Sequence, residues 1–201
     1  MTLVHRLRDS ICDVFGEVGA LAPTNCDGWR AQDLAAHLWL REHRLDALLG
    51  IGISRFADRT ARLQQEALHR RGFEGIVSEL RRPSGPAAFP VAATPEFTIH
   101  HIDVGRPNGI EFELTVDDQV QLWRVAALMA RRAARAFGGR VAITSELGHR
   151  LELGSGNRPV HLRGTPSELL YFCSGRTEHA HVQITAEPGV AEQFKAAVKP
   201  L

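Results

Sequence analysis

The spacing of apolar residues changes once along the chain, at Gly138-Gly139, and that change limits the fold more than any other feature. Before it, apolar residues recur every three or four positions, the period of a buried helix face. After it, "RVAITSE", "HRLELGSG" and "PVHLRG" alternate or run apolar over short lengths between Gly, Asn and Pro, the pattern of strands and hairpins. The sequence therefore predicts an α+β protein: a four-helix bundle over residues 1–138 and a small α+β domain over residues 139–201.

Within the first part, Leu3, Leu7, Ile11, Val14, Phe15 and Val18 mark one helix, with Gly19 as its stop. The connection "APTNCDGW" leads into a second, "RAQDLAAHLWLREHRLDALLG", whose stripe of Leu34, His37, Leu38, Leu45, Leu48 and Leu49 ends at Gly50. Residues 59–82 read as helical again, apart from the four core helices, with Gly72 and Gly75 able to bend or split the segment. Three prolines and a glycine in "RRPSGPAAFP" then break it. Thr94 as N-cap and Pro95 at the first helical position predict a helix to about Val104, stopped by Gly105 and Pro107. A further helix spans about Asp117 to Phe137 and ends at Gly138-Gly139. In the second part, "TPSELLYFCSG" reads as a helix capped by Thr165, "HAHVQITA" as a strand and "VAEQFKAAV" as a last helix. "GSGN" at 154–157 reads as a hairpin turn, because it lacks the strand-to-helix context of a phosphate-binding loop.

Composition narrows the function. A net charge of +1 and a pI near 7.9 give no basic surplus, so nucleic acid and anionic membrane surfaces are not expected partners. No stretch approaches the roughly 20 apolar residues needed to span a bilayer. The amino-terminal segment alternates charged and apolar residues, unlike a signal peptide. Cys12, Cys26 and Cys173 are odd in number and widely spaced, which argues against a disulfide framework and a thiolate zinc site and fits a reducing cytoplasm. The apolar helix faces also allow a homodimer, although no heptad run specifies one.

The segment "ATPEFTIHHIDVG" (93–105) carries the chemistry. Glu96 and His100 are related by i,i+4 and share one helix face; His101 is rotated away from it. Such a pair is common in helices that bind nothing. Here, however, it lies in an apolar helix with Phe97, Ile99 and Ile102, and His37 is flanked by Ala35, Ala36 and Leu38, where an unpaired polar group is costly to bury. Two ligands from one helix facing a histidine from a neighbour is how bundles build metal sites. Imidazole and carboxylate donors suit zinc, with nickel, iron or manganese as alternatives. Asp103, at i+3 from His100, is a candidate acceptor for the ligand imidazole or a helix-end partner of Arg106. His43 lies six residues beyond His37 and is expected to face solvent. His179 and His181 stand at strand spacing on an exposed edge.

"GWRAQDLAAHLWLRE" resembles the Trp-x-x-x-Asp-Leu-x-x-His-Leu segment of the DinB-like metalloproteins, and "EFTIHHIDV" resembles their Glu-x-x-x-His-His-x-Asp segment. The pairing is that of the mycothiol-dependent maleylpyruvate isomerases. The resemblance implies a divalent metal, zinc, bound by His37, Glu96 and His100. "SELLYFCSGR" is similar to the Leu-Leu-x-x-x-x-Gly-Arg segment of the small sterol-carrier-protein-like domain in those isomerases, which implies that Arg176 contacts the thiol or the substrate. Three protein ligands leave one zinc position for an exogenous group, as in catalytic sites. The expected function is therefore isomerisation or S-transfer on a small electrophile, with mycothiol or a similar thiol as cofactor. Two rivals remain: a noncatalytic metal-binding module or sensor, favoured by a fourth protein ligand such as His101 or Asp103, and a hydrolase, which requires a general base such as Glu42 or Asp103.

Overall fold

The computed structural model describes residues 1–43, 57–82 and 90–199, arranged as two compact units, Met1–Phe112 and Glu113–Leu201. Helices and a four-stranded sheet together make the α+β class expected from the sequence. The predicted end of the second helix, with Leu45, Leu48, Leu49 and Gly50, and most of the predicted break at 81–90 lie outside the described residues.

The first unit holds α1 (Leu3–Val18), α2 (Ala31–His43), α3 (Ala57–Leu80) and α4 (Pro90–Gly105). Helix α1 buries Leu3, Leu7, Ile11, Val14 and Phe15, the face anticipated from their spacing, and stops at Gly19 with φ 78°. It packs against α4 and α3, while α2 packs chiefly on α3. Gly72 breaks the helical dihedrals of α3 (φ 69°, ψ 166°), so the segment is two helices joined at a kink. Arg8, buried on α1, reaches across the unit: Nη1 donates to Glu42 Oε2 at 2.6 Å and to the Leu80 carbonyl at 2.8 Å, and its guanidinium lies 4.6 Å from the Phe97 ring centroid. That contact ties α1 to α2, α3 and α4 through one side chain.

Helix α4 starts earlier than the sequence suggests. Pro90 takes the first position, where a missing N–H costs little, and Pro95 sits inside the helix instead of opening it. Thr94 is therefore a helical residue, and its carbonyl accepts the Thr98 hydroxyl at 2.8 Å. The other end is where it was expected. Gly105 leads into a short 3-10 turn, Arg106–Asn108, and Ile110 N–H returns to the Gly105 carbonyl at 2.9 Å.

The second unit contains α5 (Val116–Phe137), β1 (Val141–Ser145), β2 (Arg150–Leu153), β3 (Val160–Gly164), α6 (Pro166–Cys173), β4 (Gln183–Thr185) and α7 (Pro188–Ala197). The units divide at Phe112/Glu113, not at the expected 138/139, because α5 packs its Leu122, Ala126, Ala127, Ala130, Ala133 and Ala134 face among α6 and α7. Periodicity identifies such a helix but not the layer it covers. Its start is fixed by a capping box: Thr115 Oγ1 accepts from Asp118 N–H, and Asp118 Oδ2 accepts from Thr115 N–H.

The sheet order is β2-β1-β3-β4, with β1 antiparallel to β2, parallel to β3, and β3 antiparallel to β4. The "GSGN" segment consequently joins two strands that flank β1 and is not the hairpin turn expected of it. The hairpin turn lies between β1 and β2, where Ser145 N–H donates to the His149 carbonyl at 2.9 Å. The last predicted strand is shortened to three residues. His179 and Ala180 N–H both donate to the Arg176 carbonyl, forming a turn, so His179 and His181 are exposed ahead of β4. Thr165 caps α6 as predicted, accepting from Glu168 N–H, while the Glu168 carboxylate accepts from His181 N–H at 2.6 Å.

Candidate metal centre

Helices α2 and α4 bring His37, Glu96 and His100 together in the first unit, with one donor atom from each lying within 4.8 Å of the others. Glu96 Oε2 stands 3.8 Å from His37 Nε2 and 3.7 Å from His100 Nε2, and the two imidazole centroids are 5.1 Å apart at 73°. The one-turn spacing on α4 places the carboxylate and His100 on a common face. All three side chains are largely shielded from solvent.

The protonation states suit cation binding. Burial lowers the pKa of His37, with the nearby His100 and Arg41 acting in the same direction against the pull of Glu96, so its imidazole is neutral and retains a lone pair. Burial works against the Glu96 carboxylate, but contact with His37 and the charges of His100 and Arg41 outweigh it and hold the pKa down at about 2. Donors about 2.0–2.1 Å from a tetrahedral zinc stand roughly 3.3 Å apart, so the observed 3.7 and 3.8 Å need only a few tenths of an ångström of closure. Glu96 Oε2 is buried and accepts no well-aligned hydrogen bond, although Arg41 Nε lies 2.8 Å away. A buried, ionised oxygen between two imidazole nitrogens has the donor chemistry of a divalent-metal ligand.

Around the three donors, the partners are specific. His100 Nδ1 lies 2.9 Å from Asp103 Oδ2, and Asp103 is fully buried. A neutral His100 that donates its Nδ1–H to this carboxylate presents Nε2, the nitrogen 3.7 Å from Glu96 Oε2, as its lone-pair donor. The His37 ring rests against Trp29, 5.1 Å between centroids. His101 points away, its Nε2 2.9 Å from Ser10 Oγ on α1, as its rotation from His100 predicts. Among the described residues the donor grouping around Glu96 stops at three.

Other sequence candidates fall elsewhere. His43 is half-buried, not solvent-facing, because its ring stacks on Trp39 at 4.5 Å and 8° and its Nδ1 lies 2.9 Å from the Trp39 carbonyl. Glu42 is engaged by Arg8 and is thus poorly placed as a general base. The cleft lined by Trp39, His43, Leu63 and Arg71 shares no residue with the cluster. Arg176 belongs to the second unit, half-buried after α6, with Nη1 donating to the Ser174 carbonyl at 3.1 Å.

Two participants escape a reading from sequence. Arg41 was legible in principle, since it lies one turn beyond His37 on the same face of α2. Cys26 was not. Its Sγ donates to Asp103 Oδ2 at 3.1 Å across 77 positions of chain, and Cys26, His100 and Asp103 form a second close grouping.

No protein-family profile matches the sequence, and no curated protein matches it. Among solved structures, the chain is similar to a histidine-to-alanine variant of the mycothiol-dependent maleylpyruvate isomerase, with a TM-score of 0.52 and 15% identity over 93% of this chain and 91% of that one. A second structure of the mycothiol-dependent maleylpyruvate isomerase matches with a TM-score of 0.49 and 15% identity, covering 94% of each chain. The first comparison establishes a shared fold.

Proposed function

We propose that the chain is a zinc-dependent enzyme that uses a low-molecular-weight thiol, mycothiol or a close analogue, for isomerisation of or S-transfer to a small electrophile. In this reading His37, Glu96 and His100 are the metal ligands, Asp103 orients His100, and Arg176 contacts the thiol or the substrate. The first unit is then a DinB-like bundle and the second a sterol-carrier-protein-like domain, working in the cytoplasm. One observation carries the proposal: a buried carboxylate oxygen without a well-aligned hydrogen bond stands between the Nε2 atoms of two histidines. The shared fold with a protein named as a mycothiol-dependent isomerase supports the thiol and the reaction class.

Zinc bound there would supply a Lewis acid that favours the ionised form of a thiol near neutral pH. The chain's residues do the rest. Asp103 holds the Nδ1 proton of His100 and so keeps Nε2 available. Arg41 balances the Glu96 charge and brings a permanent cation to the edge of the cluster. Among the described residues the donor grouping has three members, which supports an open fourth position that a noncatalytic structural site would fill with protein.

Elemental analysis of the purified protein tests the site. We expect about one zinc per chain, lost in both His37→Ala and Glu96→Ala, and then consumption of electrophile only when thiol is added. A parent protein that carries no metal and takes up none from added zinc would end the reading.

A further inference from the structure

The connection between α1 and α2 does more than join two helices. Thr24 Oγ1 donates to the Trp29 carbonyl at 2.9 Å and accepts from Cys26 N–H at 3.2 Å, closing the segment on itself. Asn25 N–H donates to the Asp103 carbonyl at 2.8 Å, and Asn108 Nδ2 donates to the Pro23 carbonyl at 3.0 Å, so the closed segment is anchored to the end of α4. Two side chains of this segment then reach the candidate centre by different routes. Trp29 packs on the His37 ring, and the Cys26 thiol donates to the same Asp103 oxygen that faces His100 Nδ1.

We infer that Cys26 is a positioning residue for the metal ligand His100, acting through Asp103. The inference rests on the metal-site reading above and adds to it a function for a residue outside the donor set. A carboxylate oxygen can accept two hydrogen bonds, and here the donors are a thiol from the connection and an imidazole N–H from α4. The backbone bond from Asn25 fixes where the thiol stands, and the thiol fixes the direction of Oδ2. Oδ2 in turn fixes the rotation of the His100 ring about its own axis. Loss of the thiol proton donor removes one of the bonds that hold Oδ2 in place, and the ligand nitrogen loses part of its preset aim. The Cys26 sulfur and His100 Nδ1 meet the same Asp103 oxygen, whereas it is His100 Nε2 that stands 3.7 Å from Glu96 Oε2.

Zinc affinity measured by competition with a chromophoric chelator tests the inference without any activity assay. Removing an outer partner of a ligating histidine weakens metal binding roughly 10- to 100-fold, and Cys26 stands one bond further out, so Cys26→Ala should lie near the low end, about 10-fold. Cys26→Val, which is closer to the thiol in volume and also cannot donate, should weaken binding to a similar degree. Cys26→Ser, whose hydroxyl can still donate to Asp103, should restore binding to within about 3-fold of the parent. Parent-like affinity in both Cys26→Ala and Cys26→Val would overturn the inference while leaving the metal site intact. Failure of serine to restore binding, together with a thiolate-to-cobalt charge-transfer band in the cobalt-loaded parent, would overturn it by making Cys26 a ligand. A parent that binds no zinc would remove both readings at once.

Discussion

At the scale of single residues, environment decides what each histidine can do. His37 and His100 line a common point, whereas His101, one position along, is turned into the packing between α4 and α1 beside Ser10 and Phe112. Burial pushes the His101 pKa down to about 4 from an ordinary 6.5. The folded state thus binds the proton more weakly than the unfolded chain, so its contribution to stability is fully present above pH 6.5. It is lost as pH falls from about 6.5 toward 4. Urea unfolding of metal-free protein across that range should lose about 3 kcal/mol to this one group, and His101→Leu should flatten the slope. An unchanged slope in the variant would assign the acid sensitivity to other groups. Glu96, His100 and His37 were legible in the sequence because helical spacing and apolar flanks are local properties. The Cys26 contact was not, because only the folded connection brings that thiol to α4.

At the scale of elements, most boundaries followed from spacing and caps, and the exceptions have physical causes. Pro90 and Pro95 both satisfy the rule for a first helical position, and local chemistry does not choose between them. The end of α4 is held by contact, since Gly105 itself has ordinary helical dihedrals (φ −70°, ψ −52°). A Cβ on Gly105 would lie 2.4 Å from the Ile110 carbonyl oxygen, a backbone atom that cannot swing aside. Gly105→Ala should therefore destabilise the protein by about 2 kcal/mol and shift the turn after α4, judged against overpacking costs. Because Asp103 lies two residues before Gly105, the variant should also weaken zinc binding, measured by the same chelator competition. Parent-like stability would mean that the turn yields freely and does not hold the helix end.

At the scale of the molecule, the change of period at Gly138-Gly139 correctly separates helix from mixed structure but does not mark the boundary between compact units. All of the clustered donors and their partners, Cys26, His37, Arg41, Glu96, His100 and Asp103, lie within Met1–Phe112. A fragment ending at residue 112 should accordingly fold and bind zinc with the parent stoichiometry, read by circular dichroism and elemental analysis. A fragment ending at 138 carries α5 without α6 and α7, exposes its alanine-rich face and should self-associate on size-exclusion chromatography. Equal behaviour of the two fragments would contradict the division. The contact between Arg41 and Glu96 has one more consequence. With a net charge of only +1, the chain gives little long-range guidance to an incoming anion, so discrimination must arise at the donor cluster itself. Arg41 already balances Glu96, and a divalent ion arriving there, with Asp103 as the remaining anion, leaves one unit of positive charge in surplus. An exogenous group that completes the coordination is then favoured when it carries a single negative charge, and neutral molecules of the same shape are disfavoured.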